Sequence, residues 1–167
     1  MTQSLIGYLM LKTREGFLAS SFAILRVNWL RSLVWAFLGI PTHYELRIHP
    51  LVRVDHPTNV HRGSGGCIGQ GSFLQGPGQI RIGDDVWIGP NVGIITANHD
   101  MMDLSKDAEP SDVWIDDHCW IGMNAVLLPG VELGPHTIVG AGAIVTESYP
   151  SGHCVLVGNP ATIIRQL

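Results

Sequence analysis

Aliphatic residues recur at every sixth position through much of this chain. The clearest run contains Ile115, Ile121, Leu127, Leu133, Val139 and Val145. The same spacing joins Ile82, Ile88 and Ile94, joins Ile68 to Leu74, and continues more weakly through Ile48, Val54 and Val60. Helices repeat every 3.6 residues and strands every two. A period of six therefore predicts a short strand that turns a corner and begins again.

The positions around each aliphatic residue indicate how such a strand would lie. The next position is often glycine, which relieves the backbone near a corner, as at Gly69, Gly83, Gly89, Gly122, Gly134 and Gly140. The fifth position of each hexad is small or β-branched: Val86, Val92, Cys119, Ala125, Val131, Thr137 and Ala143. We expect the first and fifth positions to point inward. Three sides would close one triangular coil of about 18 residues, and stacked coils would bury a continuous core.

The repeat is interrupted once. After Ile94 the next aliphatic position should be residue 100, but it is Ile115. The fifteen residues 100–114 are polar and contain Pro110, so they predict a loop that protrudes from the coil, where function tends to lie. His99 stands at the base of this loop, in the stretch ITANHD.

Residues 1–45 form the most apolar part of the chain. Their apolar side chains recur at spacings of three or four, which predicts one broken amphipathic helix or two, ending before Pro41. Charged residues interrupt the stretch, so neither a signal peptide nor a membrane-spanning helix is favoured. Two alternatives stay open. The apolar stripe packs against the rest of the protein or a neighbouring subunit, or it makes peripheral contact with a membrane surface.

Composition narrows the partners and the compartment. The 167 residues suit one domain, and a net charge of −4 gives no electrostatic footprint for nucleic acid. Cys67, Cys119 and Cys154 are an odd number without CxxC spacing, which indicates reduced thiols in a cytoplasmic protein. Cys119 also occupies an inward position of the repeat, so we expect a small core residue there.

The hexads of residues 65–167 resemble those of the hexapeptide-repeat acyltransferases, and VGNPATIIRQL resembles the segment that closes their last coil. Residues 1–45 are similar to the apolar leaders of exopolysaccharide and lipopolysaccharide acetyltransferases. The resemblance implies an all-β protein. Its expected parts are an apolar, partly helical segment (1–45), a left-handed parallel β-helix with a protruding loop at 100–114 (46–160), and a C-terminal tail (161–167).

The same resemblance implies an acetyl-CoA-dependent O-acetyltransferase that acts on a saccharide hydroxyl and assembles as a homotrimer. The catalytic histidine of the sugar branches stands where the loop departs, which is the position of His99. Imidazole, with a pKa of ~6.5, suits a general base at neutral pH. We expect Asn98, Asp100 and Gln70 to contact the acceptor.

The donor site is implied by the resemblance alone, since the chain has no P-loop and no GxGxxG motif. In the family the pantetheine arm lies between adjacent subunits along successive coils. Carried over by position, the residues expected to bind acetyl-CoA are Trp120, Gly122, Met123, Gly140, Ala141, Thr146 and Arg165.

Several alternatives stay open at this point. Galactoside and maltose acetyltransferases carry an asparagine about where Gln70 and Gly71 stand, and an N-terminal aspartate without a clear counterpart here. A polymer or lipid-linked saccharide therefore fits better than a free sugar. A xenobiotic acceptor, a longer acyl donor and a non-enzymatic scaffold remain possible. The γ-class carbonic anhydrases share the fold and bind zinc, but Leu104 stands where their second histidine would be needed, so no metal is expected.

Overall fold

The computed structural model describes residues 47–167. The predicted apolar segment 1–45 lies outside the described residues. No helix within residues 47–167 is long and apolar enough to cross a membrane.

The described chain winds through five successive coils of short strands. Coil 1 contains β1 (Arg47–Ile48), β2 (Arg53–Val54), a 3-10 helix (Pro57–Asn59) and β3 (Val60–Arg62). Coil 2 contains β4 (Cys67–Ile68), β5 (Phe73–Gln75) and β6 (Ile80–Ile82). Coil 3 contains β7 (Trp87–Ile88), β8 (Gly93–Ile95) and β11 (Val113–Ile115), with β9 (Ala97–Asn98) and β10 (Glu109–Pro110) between the last two. Coil 4 contains β12 (Trp120–Ile121), β13 (Val126–Leu127) and β14 (Glu132–Leu133). Coil 5 contains β15 (Ile138–Val139) and β16 (Ile144–Val145) and is completed on its third side by Tyr149, which bridges to Leu133. A sixth turn begins with β17 (Cys154–Gly158), and β18 (Ala161–Gln166) closes the chain.

Equivalent strands of successive coils stack into three parallel sheets, which are the faces of a prism. Face A contains β1, β4, β7, β12, β15 and β17, face B contains β2, β5, β8, β13 and β16, and face C contains β3, β6, β11 and β14. At the end of face A, β18 runs antiparallel to β17. The predicted left-handed parallel β-helix is confirmed. We call its edges the A–B, B–C and C–A corners, after the faces that meet there.

The core lies inside the prism and consists of the predicted positions of the hexad. The first-position residues Ile88, Ile94, Ile121 and Leu127 are fully buried, and so are fifth-position residues such as Cys119. The inward prediction for both positions is therefore confirmed. Each coil covers the apolar interior of the next, so burial is continuous along the axis.

The coils differ in length from the prediction at the N-terminal end. Ile48, Ile68 and Ile88 are in register and lie 20 residues apart, whereas Ile121 and Val139 lie 18 apart. The longer coils have three-residue strands on face C, where both end residues point inward. In β3 the residue aligned with Ile82 is Arg62, not an aliphatic residue.

Arg62 is accommodated in the core by the adjoining turn. Its side chain is only 7% exposed. Nε donates to the carbonyl of Gly63 at 3.2 Å, and Nη2 donates to the carbonyl of Gly65. Burial lowers the pKa of this guanidinium to about 10, since a charged group is poorly solvated there.

Glycine is required at the A–B corner because successive coils approach one another closely there. A Cβ added to Gly69 would lie 2.3 Å from the carbonyl carbon of Gly89. A Cβ added to Gly122 would lie 2.5 Å from the backbone nitrogen of Ala141. The second-position glycines therefore form a column that sets the spacing of the coils.

Candidate active site

The interruption of the repeat is a β-hairpin at the B–C corner of coil 3. Strands β9 and β10 pair antiparallel, with Asn98 opposite Glu109. At its base the N–H of Ser111 donates to the carbonyl of Thr96 at 2.8 Å, and the chain then re-enters the coil as β11. The predicted loop 100–114 falls in this hairpin except for its last two residues, which begin β11.

His99 follows β9 directly and is exposed. Within residues 47–167 no hydrogen bond or ion pair engages its imidazole. Asn98, the preceding residue, is also exposed. The hairpin thus presents an amide and an unengaged imidazole side by side beside the coil. Such an imidazole is available to accept a proton from a bound hydroxyl.

Asp100 stabilises the hairpin itself. Its Oδ1 accepts a hydrogen bond from the N–H of Met102 at 2.9 Å, and its Oδ2 accepts one from the ammonium group of Lys106 at 2.6 Å. The hydrogen bond from Lys106 is the main cause that lowers the pKa of this carboxyl. Both carboxylate oxygens are therefore engaged within the loop, and the predicted contact between Asp100 and the acceptor stays a prediction.

Five predicted site residues lie along the A–B corner. Gly122 (buried) and Gly140 (half-buried) belong to the glycine column, whereas Met123 and Ala141 follow them and are exposed. The carbonyl of Met123 accepts the N–H of Gly142 at 2.8 Å. Gln70, predicted to contact the acceptor, occupies the equivalent position of coil 2, where its carbonyl accepts the N–H of Asn91.

Three of these exposed residues have backbone N–H groups without a hydrogen-bond partner in the described part of the chain. Within residues 47–167 the N–H groups of Gln70, Met123 and Ala141 make no hydrogen bond. The C–A corner differs, because side chains of the next coil satisfy the equivalent groups there. The N–H of Ser64 donates to Asp84 Oδ1 at 2.6 Å, and the N–H of Asp84 donates to Asp117 Oδ1 at 2.7 Å. Coils 2, 4 and 5 therefore each leave one donor at the A–B corner for the carbonyl oxygens of a ligand, whereas coil 3 has Pro90 there and offers none.

The remaining residues that are predicted to bind acetyl-CoA lie on either side of this corner. Trp120 is exposed on face A, in one row with Ile138, Val155 and Arg165. Three strand spacings of about 4.8 Å each place Arg165 about 14 Å from Trp120. Thr146 is exposed at the B–C corner of coil 5, on the same corner as the hairpin.

The predicted residues thus fall into two groups within one chain. One group follows the A–B corner and face A towards the C-terminus, and the other lies at the B–C corner around His99. These corners are the opposite edges of face B. The structure also reveals an exposed row on face C that the repeat did not predict: His61, Arg81, Trp114 and Glu132.

The other histidines of the coils are arranged differently. His118, His136 and His153 lie on the outside of the C–A corner, each with a positive φ. Their rings stack in a column, with centroids 4.9 Å apart. No group of three or more metal-ligating side chains in residues 47–167 is arranged to hold a metal ion.

Comparison with known proteins extends this description. The family model "Bacterial transferase hexapeptide (six repeats)" matches residues 112–147. Galactoside O-acetyltransferase of Lactococcus lactis is 35% identical over 65% of this chain and 54% of its own length. A candidate acetyltransferase of Dictyostelium discoideum is 33% identical over 75% of this chain and 67% of its own length. The candidate colanic acid biosynthesis acetyltransferase WcaF of Escherichia coli is 28% identical over 81% and 74%.

The chain spans little more than half of the Lactococcus lactis relative. Similarity to solved structures is more extensive. A maltose O-acetyltransferase from Clostridium difficile superposes with a TM-score of 0.87, at 26% identity, over 96% of this chain and 88% of that one. A hexapeptide-repeat acetyltransferase from Vibrio cholerae, solved in complex with acetyl-CoA, superposes with a TM-score of 0.85, at 25% identity, over 94% and 87%. The repeats, the coiled fold and the sequence identity to these relatives together show that the chain belongs to the hexapeptide-repeat acyltransferase family.

Proposed function

We propose that this protein is an acetyl-CoA-dependent O-acetyltransferase that acetylates a saccharide hydroxyl, with His99 as the general base. The observation that carries the proposal is the position of His99. Within residues 47–167 its imidazole is exposed and unengaged, and it follows β9 directly in the hairpin that interrupts the repeat. In the sequence His99 belongs to the stretch ITANHD, where the regular repeat stops.

The chemistry is a direct transfer. Acetyl-CoA supplies an activated acetyl group as a thioester. His99 removes the proton of the acceptor hydroxyl, and the hydroxyl oxygen attacks the thioester carbonyl as the C–S bond breaks. A backbone N–H near the carbonyl would stabilise the oxyanion. The imidazolium then returns its proton to the leaving thiolate.

The A–B corner fits the extended arm of acetyl-CoA. The arm contains amide carbonyls, and Met123 and Ala141 offer unpaired backbone N–H groups on successive coils. Gly122 and Gly140 let successive coils approach closely, which brings these N–H groups near one another. Arg165, exposed on β18, is placed for the phosphate end of the same ligand, where a guanidinium pairs well with phosphate oxygens.

The saccharide class is supported by the names of the relatives. They include galactoside and maltose O-acetyltransferases and a colanic acid biosynthesis acetyltransferase. The maltose O-acetyltransferase shares the coiled fold, and all three proteins act, by name, on sugars or in the synthesis of a polysaccharide. We therefore propose a saccharide acceptor and place a xenobiotic acceptor second.

A site shared between subunits accounts for the two separated groups of residues. Within one chain the open N–H groups and His99 lie at opposite edges of face B. If the A–B corner of one subunit faces the B–C corner of the next, the two groups form one groove. We propose a homotrimer with three such grooves, in the cytoplasm.

Replacement of His99 tests the proposal. We expect His99→Ala to lower kcat by about 10²- to 10⁴-fold, because the hydroxyl loses its positioned base. Affinity for acetyl-CoA should be unchanged, since the donor lies along the A–B corner. Turnover is measured by release of free thiol with a panel of saccharides and chloramphenicol as acceptors.

His118→Asn serves as the control, because His118 is also exposed but lies at the C–A corner, and asparagine tolerates its positive φ. It should turn over like the wild type. Full activity of His99→Ala would refute the assigned base. A folded wild-type protein that neither binds acetyl-CoA nor acetylates any acceptor would favour the scaffold alternative.

A further inference from the structure

Face C carries a row of exposed side chains that the proposed chemistry does not use. Parallel register aligns His61 with Arg81, Arg81 with Trp114, and Trp114 with Glu132. These side chains line a groove of about 640 Å³. Trp114 is 43% exposed although it lies in the middle of the row. A large aromatic surface is thus presented in a concave site, where ligands usually bind.

The charged groups of the row are not neutralised by one another. The guanidinium of Arg81 stacks on Trp114, with Cζ 4.9 Å from the ring centroid. Within residues 47–167 neither Arg81 nor Glu132 forms an ion pair or a side-chain hydrogen bond. Two strand spacings separate them by about 10 Å, with Trp114 between. Donors and acceptors therefore flank an aromatic platform and remain available to a ligand.

The groove continues towards the hairpin that carries His99. A second hollow of about 240 Å³ shares Trp114 and Glu132 with the groove and is also lined by Ser111 and Asp112. Ser111 pairs with Thr96 at the base of the hairpin. His99 lies three residues beyond Thr96, about 10 Å further along the strand. One end of the groove therefore lies at the base of the hairpin that carries the proposed catalytic base.

We infer that the face C groove binds the acceptor as an extended saccharide chain, at sugar residues beyond the one that is acetylated. The inference rests on the proposed function for its biological context. A pyranose presents an apolar C–H face and a rim of hydroxyl groups. Trp114 supplies the apolar platform, Arg81 supplies donors, and Glu132 supplies acceptors. An oligosaccharide long enough to span the groove reaches His99 with one of its residues.

The test compares short and long members of neutral saccharide series. The probes are maltose and maltohexaose, and galactobiose and galactohexaose. Calorimetric titration without acetyl-CoA measures binding alone, so failure of the proposed chemistry does not affect it. In at least one series the hexasaccharide should bind the wild type about tenfold more tightly than the disaccharide, because one additional well-packed aromatic contact is worth about that much.

The variant Trp114→Ala should lose this length preference, while the affinity for the disaccharide stays unchanged. The matched control is Trp87→Ala, because Trp87 is 52% exposed on face A of the same coil. It should retain the preference. Glu132→Gln, which preserves size, should weaken the hexasaccharide alone. Equal binding of short and long saccharides by the wild type, or equal losses in Trp114→Ala and Trp87→Ala, would overturn the inference and leave the proposed transferase intact.

Discussion

The role of a histidine in this protein depends on the corner that holds it. His118, His136 and His153 adopt left-handed backbone conformations at the C–A corner and stack on one another. Their regular spacing follows the coils, so they are a product of the repeat. His99 lies outside the repeat, at the start of an insertion. An exposed imidazole that no structural contact explains is the one best placed for chemistry.

The reactivity of the Cys119 thiol tests whether this residue is buried in solution. Cys119 is fully buried and donates to the carbonyl of Gly134 at 3.2 Å. Burial raises the pKa of its thiol to about 11, because the thiolate would be poorly solvated. We expect iodoacetamide at pH 8 to leave Cys119 unmodified in the native protein and to modify it in denaturant.

Mass spectrometry of the labelled peptides measures this outcome. Cys67, which is only partly buried, provides the internal comparison. Native labelling of Cys119 as fast as that of Cys67 would show that coil 4 is open to solvent, contrary to the structure.

The hexad pattern predicted the strands well, because the first residue of each hexad fills the narrow core. The coil length was less predictable. Face C strands in the first coils place two side chains inward instead of one, and Arg62 replaces an aliphatic residue in that row. A buried arginine cannot be recognised by hydrophobicity. Its acceptors are carbonyls of the adjoining turn, which only the fold brings near.

The glycine column yields a stability prediction at the scale of the coil. Gly69→Ala would place a Cβ within 2.4 Å of two backbone atoms of Gly89, which cannot move without separating two coils. We expect a loss of about 1–3 kcal/mol in the free energy of unfolding, typical of overpacking. Chemical denaturation measures the loss.

Gly93→Ala is the control, since its Cβ would meet only Val126, at an ordinary 3.7 Å. This variant should stay within about 0.5 kcal/mol of the wild type. Equal losses in the two variants would contradict the role assigned to the column, because they would reflect a general effect of alanine.

For the whole molecule, the sequence locates the insertion in the repeat, but it does not indicate how the predicted site residues are arranged in space. The interruption of the repeat located His99, because a loop of fifteen extra residues is visible in a strict period. The unpaired N–H groups at the A–B corner could not be predicted from the sequence, because side chains of the next coil decide which N–H groups are hydrogen-bonded. The face C row was not visible either, since Arg81, Trp114 and Glu132 are distant in sequence and meet only through strand register.

We propose that the A–B corner binds the acetyl donor for a transfer at His99. Calorimetric titration of the full chain with acetyl-CoA tests it most directly, because no knowledge of the acceptor is needed. We predict saturable binding at one site per subunit, retained in His99→Ala. A folded protein that shows no heat of binding with acetyl-CoA would refute the proposed acetyl-CoA site.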